Sequence, residues 1–245
     1  MKIDSKELAS QYQLAKRTAI EAGDYLLSRK DQNLIVHSDL GRDIKLEIDR
    51  ETEELIRNRL SLSGISVFGE ELGSDNIKSQ LKWIVDPLDG TSNYFRGLDQ
   101  CCVSIALMDG EEVLVGMIFN FNTNELFSAY KGGGAFLNDR HIKVSEIENK
   151  ANASLTTGFP ASEPLESSAL LLKNFSGWKK IRMFGSAALS CAYVASGRCD
   201  VYQEKGVYLW DFAAGICLVE EAGGKVTYNK IDDSRYSVNF TNGRL

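Results

Sequence analysis

The apolar positions of the chain change period several times, and each change marks an element. Leu8, Tyr12, Ala15, Ala19 and Leu26 are spaced through polar residues as on one face of a helix, predicting an amphipathic helix over about residues 5 to 29. From Asp43 the period falls to two: Ile44, Leu46 and Ile48 alternate with Asp43, Lys45, Glu47 and Asp49, the pattern of a half-buried strand. Helical spacing resumes from Glu51 to Leu62 through Leu55, Ile56 and Leu60. Short β-like runs follow at Ser66 to Gly69 and Lys82 to Val85, each ending directly before a carboxylate. Cys102 to Met108, Val113 to Phe119 and Glu125 to Tyr130 read as antiparallel strands, with Asp109-Gly110 as a tight turn and Gly132-Gly133-Gly134 closing the section. In the second half, strands are expected at Ser154 to Thr157 and Ile181 to Phe184, and a helix at Ser167 to Leu172. Two further helices carry clear punctuation. Ser186 to Ser196 follows Gly185 and stops at Gly197; Phe212 to Ala222 follows Asp211 as N-cap and stops at Gly223-Gly224.

Composition narrows the classes. A chain of 245 residues with 43% hydrophobic and 25% charged residues is ordinary for a soluble protein with a substantial core. The net charge of −6, with no block of Lys or Arg, argues against nucleic acid or an anionic membrane as partner. The five cysteines (Cys101, Cys102, Cys191, Cys199, Cys217) are odd in number, form no C-x-x-C pair and sit among apolar residues, as buried thiols of a reducing compartment do. The N-terminus has no apolar signal region, and the longest apolar run, Val113 to Phe119, is too short for a bilayer, so a cytoplasmic location is expected.

The chemistry concentrates in three acidic sites at strand ends or helix starts: Gly69-Glu70-Glu71, the segment Asp86 to Asn93, and Trp210-Asp211. A lone Asp-Gly is ordinarily a turn and a lone Glu-Glu ordinarily solvated surface. Carboxylates placed straight after an apolar run such as Trp83-Ile84-Val85 are another matter, because desolvation disfavours them unless something positive compensates. Mg²⁺, a hard cation that takes a few carboxylates plus phosphate oxygens and waters, suits the set. Gly90, Thr91 and Ser92 would open a helix whose free N–H groups suit a phosphate. Metal and phosphate sites one turn apart describe a metal-assisted phosphatase. Rival motifs fail on spacing. An EF-hand loop from Asp86 would need Glu at the position held by Gly97, and the Asp-x-Asp of haloacid-dehalogenase phosphatases is absent, since two residues separate Asp86 from Asp89. Serine chemistry lacks a G-x-S-x-G motif, and His37 and His141, the sole histidines, read as surface or packing residues.

The run Trp83-Ile84-Val85-Asp86-Pro87-Leu88-Asp89-Gly90-Thr91-Ser92-Asn93-Tyr94 resembles the first signature of the inositol monophosphatase family. Leu209-Trp210-Asp211-Phe212-Ala213-Ala214-Gly215, with Glu221-Ala222-Gly223-Gly224 after it, resembles the second. Gly69-Glu70-Glu71, Gly134 to Asn138, Gly185 to Ala188 and Gly197 to Asp200 add to a match that covers nearly the whole chain. The resemblance implies a layered αβαβα sandwich of α/β (α+β) class, forming one catalytic unit from halves at about 1–140 and 150–245 with the site between them. It implies that Glu70, Asp86, the Leu88 carbonyl, Asp89 and Asp211 hold two or three Mg²⁺ ions, for which Mn²⁺ can substitute. Asp49, Thr91 and Glu70 would serve the attacking water. Gly90, Thr91 and Ser92 would surround the phosphate, and Gly185, Ser186, Ala187 and Glu204 would face the hydroxyl-bearing part of the substrate.

The activity so implied is hydrolysis of a small phosphate monoester by metal-activated water, sensitive to Li⁺, in a cytoplasmic homodimer. Inositol monophosphate or a related sugar phosphate leads; histidinol phosphate, fructose bisphosphate and a nucleotide 3′-phosphate are the alternatives within the superfamily. A non-catalytic metal- or phosphate-binding regulator is the alternative from another class, and the full carboxylate set speaks against it. Two departures stand out. A lysine that the family often carries upstream of Asp43 is absent here, where the stretch reads His37-Ser38-Asp39; Lys45 shares the expected strand face of Asp43 and Asp49, which leaves open whether it replaces that lysine, and the stretch from Phe159 to Lys180 is short.

Overall fold

The computed structural model describes residues 3–30, 35–40, 43–75, 79–159 and 175–245; the side chains of 37–40 and 43–45 are outside that description. The helix expected at Ser167 to Leu172 and the side chains of His37 and Lys45 therefore lie outside the described residues.

Helix α1 (Ser5–Arg29) starts where the Asp4 carboxylate accepts the amides of Lys6 and Glu7, each at 2.9 Å, and buries Tyr12, Ala15, Ala19, Ala22 and Leu26. Strands β1 (Val36–Leu40) and β2 (Asp43–Leu46) form an antiparallel ribbon that leads into α2 (Glu47–Leu60). Here the sequence expectation is corrected. The alternating strand ends at Leu46, and Ile48 and Asp49 belong to the first turn of α2. The reason is local: the Asp49 carboxylate accepts the Leu46 amide at 2.8 Å and closes the helix start four residues early.

An eight-stranded sheet follows, in the order β10-β9-β8-β7-β6-β5-β3-β4. Its members are β3 (Ser66–Gly69), β4 (Gly73–Ser74), β5 (Leu81–Asp89), β6 (Cys102–Asp109), β7 (Glu112–Asn120), β8 (Glu125–Tyr130), β9 (Gly134–Leu137) and β10 (Arg140–His141). Both faces are covered, which is why the central strands are continuously apolar. On β5, Trp83 and Val85 face the core under α1 and α2, while Ile84 faces the opposite core; on β6, Val103, Ile105 and Leu107 alternate in the same way with Cys102, Ala106 and Met108.

The second core is filled by α4 (Ala187–Ala195) and α5 (Leu209–Glu221); the short helix α3 (Thr91–Phe95) and strands β11 (Ser154–Thr157) and β12 (Lys180–Arg182) precede them, and β13 (Val201–Tyr208) runs between them. Both helices are apolar nearly all round, as helices held between two sheets must be. A Cβ at Gly116 of β7 would stand 2.3 Å from the Ala214 carbonyl oxygen of α5. The outer sheet has five strands, β12-β11-β13-β15-β14, with β14 (Lys225–Lys230) and β15 (Arg235–Thr241) as its C-terminal hairpin. The described layers are thus helix, sheet, helix, sheet, in agreement with the expected α/β sandwich. All five cysteines are free and buried, as expected, and among the described residues no helix is long and apolar enough to cross a membrane.

Candidate active site

Two strand pairings bring the acidic segments together. β3 runs parallel to β5 with Gly69 opposite Val85, and the Glu70 amide bonds the Val85 carbonyl at 3.2 Å, so Glu70 leaves its strand beside Asp86. The β5–β6 register shifts between Asp86 and Asp89, where Pro87 has no amide to give and the Leu88 amide turns onto the Asp86 carboxylate at 3.0 Å. Gly90 then takes the left-handed conformation, φ +89°, and opens α3. The Thr91 hydroxyl donates to the Leu88 carbonyl at 3.0 Å, and Ser92 is exposed at the first turn.

Asp89 reaches across to the second half. Its carboxylate accepts from the Ser186 hydroxyl at 2.5 Å and from the amides of Ala188 at 2.7 Å and Ala187 at 3.3 Å, and so sits at the positive end of α4. Ser186 is itself the N-cap, accepting the Leu189 amide at 3.1 Å. Asp211 is the third residue of α5 and not its N-cap, which corrects the expected helix start at Phe212. Tyr208 caps the helix, and its amide donates back to the Asp211 carboxylate at 2.7 Å.

Electrostatics places Glu70, Asp86, Asp89 and Asp211 in one cluster. Burial pushes the Asp86 carboxyl well above the usual carboxylate range, and the charges of Glu70, Asp89 and Asp211 push it further. Asp211 is likewise raised by burial and then by Glu70 and Asp89. Asp89 is raised by burial too, with the bonds from Ser186, Ala188 and Ala187 pulling the other way. None of the ion pairs among the described residues includes Asp86, Asp89 or Asp211. Also among the described residues, no three His, Cys, Asp or Glu side chains stand as a finished ligand cage, and Asp89 is turned onto α4. The donor set, oxygen-only, desolvated and mutually repelling, is what a hard divalent cation would relieve.

The remaining expected residues take the following places. Asp49 is buried in α2, and its charge is among those that raise the Tyr94 phenol of α3. Glu204 on β13 lies with its carboxylate against the backbone of Gly158, accepts the buried Tyr202 hydroxyl at 3.0 Å, and is pushed up to about 7 by burial. Gly185 to Ala187 line the entry to α4, and Asn93 fastens that entry to α3: its side-chain amide donates to the Gln100 and Phe184 carbonyls, each at 2.7 Å. His141 is exposed with its ring 4.3 Å from that of Phe136, a packing role as expected.

Sequence reasoning missed Asn93 as a tether, and Tyr202. It also missed the pair Glu53 and Arg57, whose spacing of four reads as an ordinary surface ladder although Glu53 is fully buried.

Comparison with known proteins identifies the family. The model of the inositol monophosphatase family matches residues 7–239. The Nus factor SuhB of Xylella fastidiosa is 40% identical over 221 residues, 86% of this chain and 78% of that protein. The inositol-1-monophosphatase of Rhizobium meliloti is 39% identical over 202 residues, 79% of this chain and 75% of that one. Among solved structures, the extragenic suppressor protein suhB from Bartonella henselae superposes with a TM-score of 0.85 at 36% identity, covering 93% of both chains. The inositol monophosphatase from Anabaena gives 0.84 at 33% identity, covering 97% of this chain and 92% of that one.

Proposed function

The chain belongs to the inositol monophosphatase family and is a phosphomonoesterase, and on that premise we propose that it hydrolyses inositol monophosphate or a related sugar phosphate with Mg²⁺. The observation that carries this reading is the meeting of Glu70, Asp86, Asp89 and Asp211 beside the start of α3. Mg²⁺ bound there would offset the carboxylate charge, acidify a water and stabilise the developing charge on phosphate and leaving oxygen. Glu70, Asp86, Asp89, Asp211 and the Leu88 carbonyl are the residues that would hold it.

The rest of the work falls to the chain. Gly90, Thr91 and Ser92 present amides and hydroxyls to the phosphate at the first turn of α3. Asp49 and Thr91 hold and orient the attacking water, with Glu70 as the further carboxylate on it. Gly185, Ser186, Ala187 and Glu204 bind the leaving group's hydroxyls, and the ionised Glu204 is a strong acceptor for them. The bonds that Asp89 accepts from Ser186, Ala187 and Ala188 support treating both halves as one catalytic unit.

The same reading takes Mn²⁺ as a substitute, Li⁺ as an inhibitor, and a cytoplasmic homodimer that binds no nucleic acid. The test is phosphate release over a panel of phosphorylated metabolites, with Mg²⁺ and with EDTA. Turnover in EDTA refutes the metal mechanism; no turnover on any ester favours the non-catalytic regulator. Sedimentation checks the dimer.

A further inference from the structure

Helix α2 carries a second buried carboxylate one turn beyond Asp49. Glu53 has no exposed surface, a position that a carboxylate occupies at high cost unless it is paired and hydrogen-bonded. It is both. Its two oxygens accept the amides of Glu71 at 2.7 Å and Leu72 at 3.2 Å, and Arg57, one turn further along α2, donates to it at 2.7 Å. Arg57 is 15% exposed and continues outward to the Gly73 carbonyl and, at 2.5 Å, to Asp75. The Glu53 carboxylate also fills the space beside Gly69, where a Cβ would stand 2.2 Å from its Oε1. Residues 69 to 75, which span the end of β3, the turn at 70–72 and β4, are thus held by one helix along their inner side.

Glu70 stands in that turn, flanked by Gly69, which packs on Glu53, and by Glu71, which donates to it. Its own amide is bonded to β5 beside Asp86. We propose that Glu53, with Arg57, is a positioning residue that fixes the backbone on both sides of Glu70 and so aims the Glu70 carboxylate into the cluster with Asp86 and Asp211. The inference rests on the metal-dependent reading above. Outer partners of this kind tune a metal site by orienting its ligands. Glu53→Gln keeps the shape but loses the charge and one of the accepting oxygens. Arg57→Lys keeps the charge but loses the planar fork that reaches Glu53, Gly73 and Asp75 together.

The test is Mn²⁺ binding to purified wild type, Glu53→Gln and Arg57→Lys, followed by the spin signal of free Mn²⁺, with folding checked by circular dichroism. Amide hydrogen exchange at Glu71 and Leu72 is read in the same samples. Glu53→Gln should bind Mn²⁺ roughly tenfold more weakly, with faster exchange confined to 69–75 and with kcat recovered in excess metal. Arg57→Lys should show a smaller shift in the same direction, and it alone decides the matter if Glu53→Gln does not fold. A purely structural role would lower Tm while leaving Mn²⁺ affinity of the folded protein unchanged, and that outcome overturns the proposal. Wild type that binds no Mn²⁺ overturns the metal-dependent reading together with it, whereas wild type that binds and variants that match it overturn this inference alone.

Discussion

Asp86 and Asp89 lie three residues apart on one strand, yet their surroundings differ. Asp86 receives one amide and faces Glu70, Asp89 and Asp211, and its carboxyl is raised the further; Asp89 receives a hydroxyl and two amides at the start of α4. Asp86→Asn and Asp89→Asn should each lower kcat by roughly a thousandfold or more, several kcal/mol of transition-state stabilisation, if both hold metal. In metal-free protein their effects on Tm should separate. Asp86→Asn removes a penalised charge and should raise Tm, whereas Asp89→Asn also forfeits charge-assisted bonds to α4 and should stand below it. Near-normal turnover in either variant, or the reverse order of Tm, sinks the assignment. Glu204 allows a second test. With its carboxyl raised to about 7, it is ionised at pH 8 and largely protonated at pH 6. Glu204→Ala should cost roughly 1–3 kcal/mol in kcat/KM for the preferred polyol phosphate and spare an aryl phosphate. The loss should be larger at pH 8 than at pH 6. Equal damage to both substrates would place Glu204 in the fold or the metal site instead. The identities of these residues were legible from motif and local apolar context. Their partners were not, because Ser186 and Tyr202 act through contacts that no sequence spacing displays.

At the scale of elements, legibility followed the surroundings of each face. Helix α1, with one face in solvent, was readable from its apolar spacing. The ribbon before α2 was not, since Ile48 and Asp49 continue the alternation of β2 while their backbone has already turned helical. Asp211 misled for a related reason: a carboxylate at the third helical position reaches back to the capping amide and resembles an N-cap in sequence. Strand β13 mixes buried Val201, Tyr202 and Val207 with exposed Gln203 and Lys205, and its register shifts between Lys205 and Val207, so no period survives to be read. Asn93 shows what elements need from one another. Its amide bridges two loop carbonyls, and Asn93→Ala leaves both short of a donor, at about 1–3 kcal/mol if they stay dry. Because the freed loop carries Gly185 to Ala187, substrate KM should rise several-fold more than kcat falls. Unchanged KM with full stability would show that α3 does not hold the substrate side in place.

The whole molecule is two sheets that share a helix layer, and that layer presents its N-terminal ends to one acidic cluster, so the fold and the site solve a single electrostatic problem. Sequence could show that the carboxylates follow apolar strands; that they converge required the parallel pairing of β3 with β5 and the reach of Asp89 across to α4. The consequence is measurable as linkage between pH and metal. Asp86, Asp89, Asp211 and Glu204 all have carboxyls raised above their ordinary values, first of all by burial. For a raised carboxyl the folded chain holds more protons than the unfolded one. Stability is therefore fully present below the ordinary range near about 4 and falls as pH rises, at about 1.4 kcal/mol per pH unit for each excess proton. Glu204 completes its share near 7, and Asp86 and Asp211, raised well above the usual range, extend the loss beyond the ordinary carboxylate window. On the proposed reading, bound Mg²⁺ would hold its ligands ionised and remove most of that slope. Calorimetry from pH 5.5 to 8.5 should therefore show a Tm that falls with pH in EDTA, and a Mg²⁺-induced increment that grows with pH as the metal replaces protons. Asp86→Asn should flatten the EDTA curve and abolish most of the increment. An increment independent of pH, or metal-free protein that gains stability toward pH 8, would show that these carboxylates are not compensated by protons in the empty site and that the cluster does not bind metal as drawn.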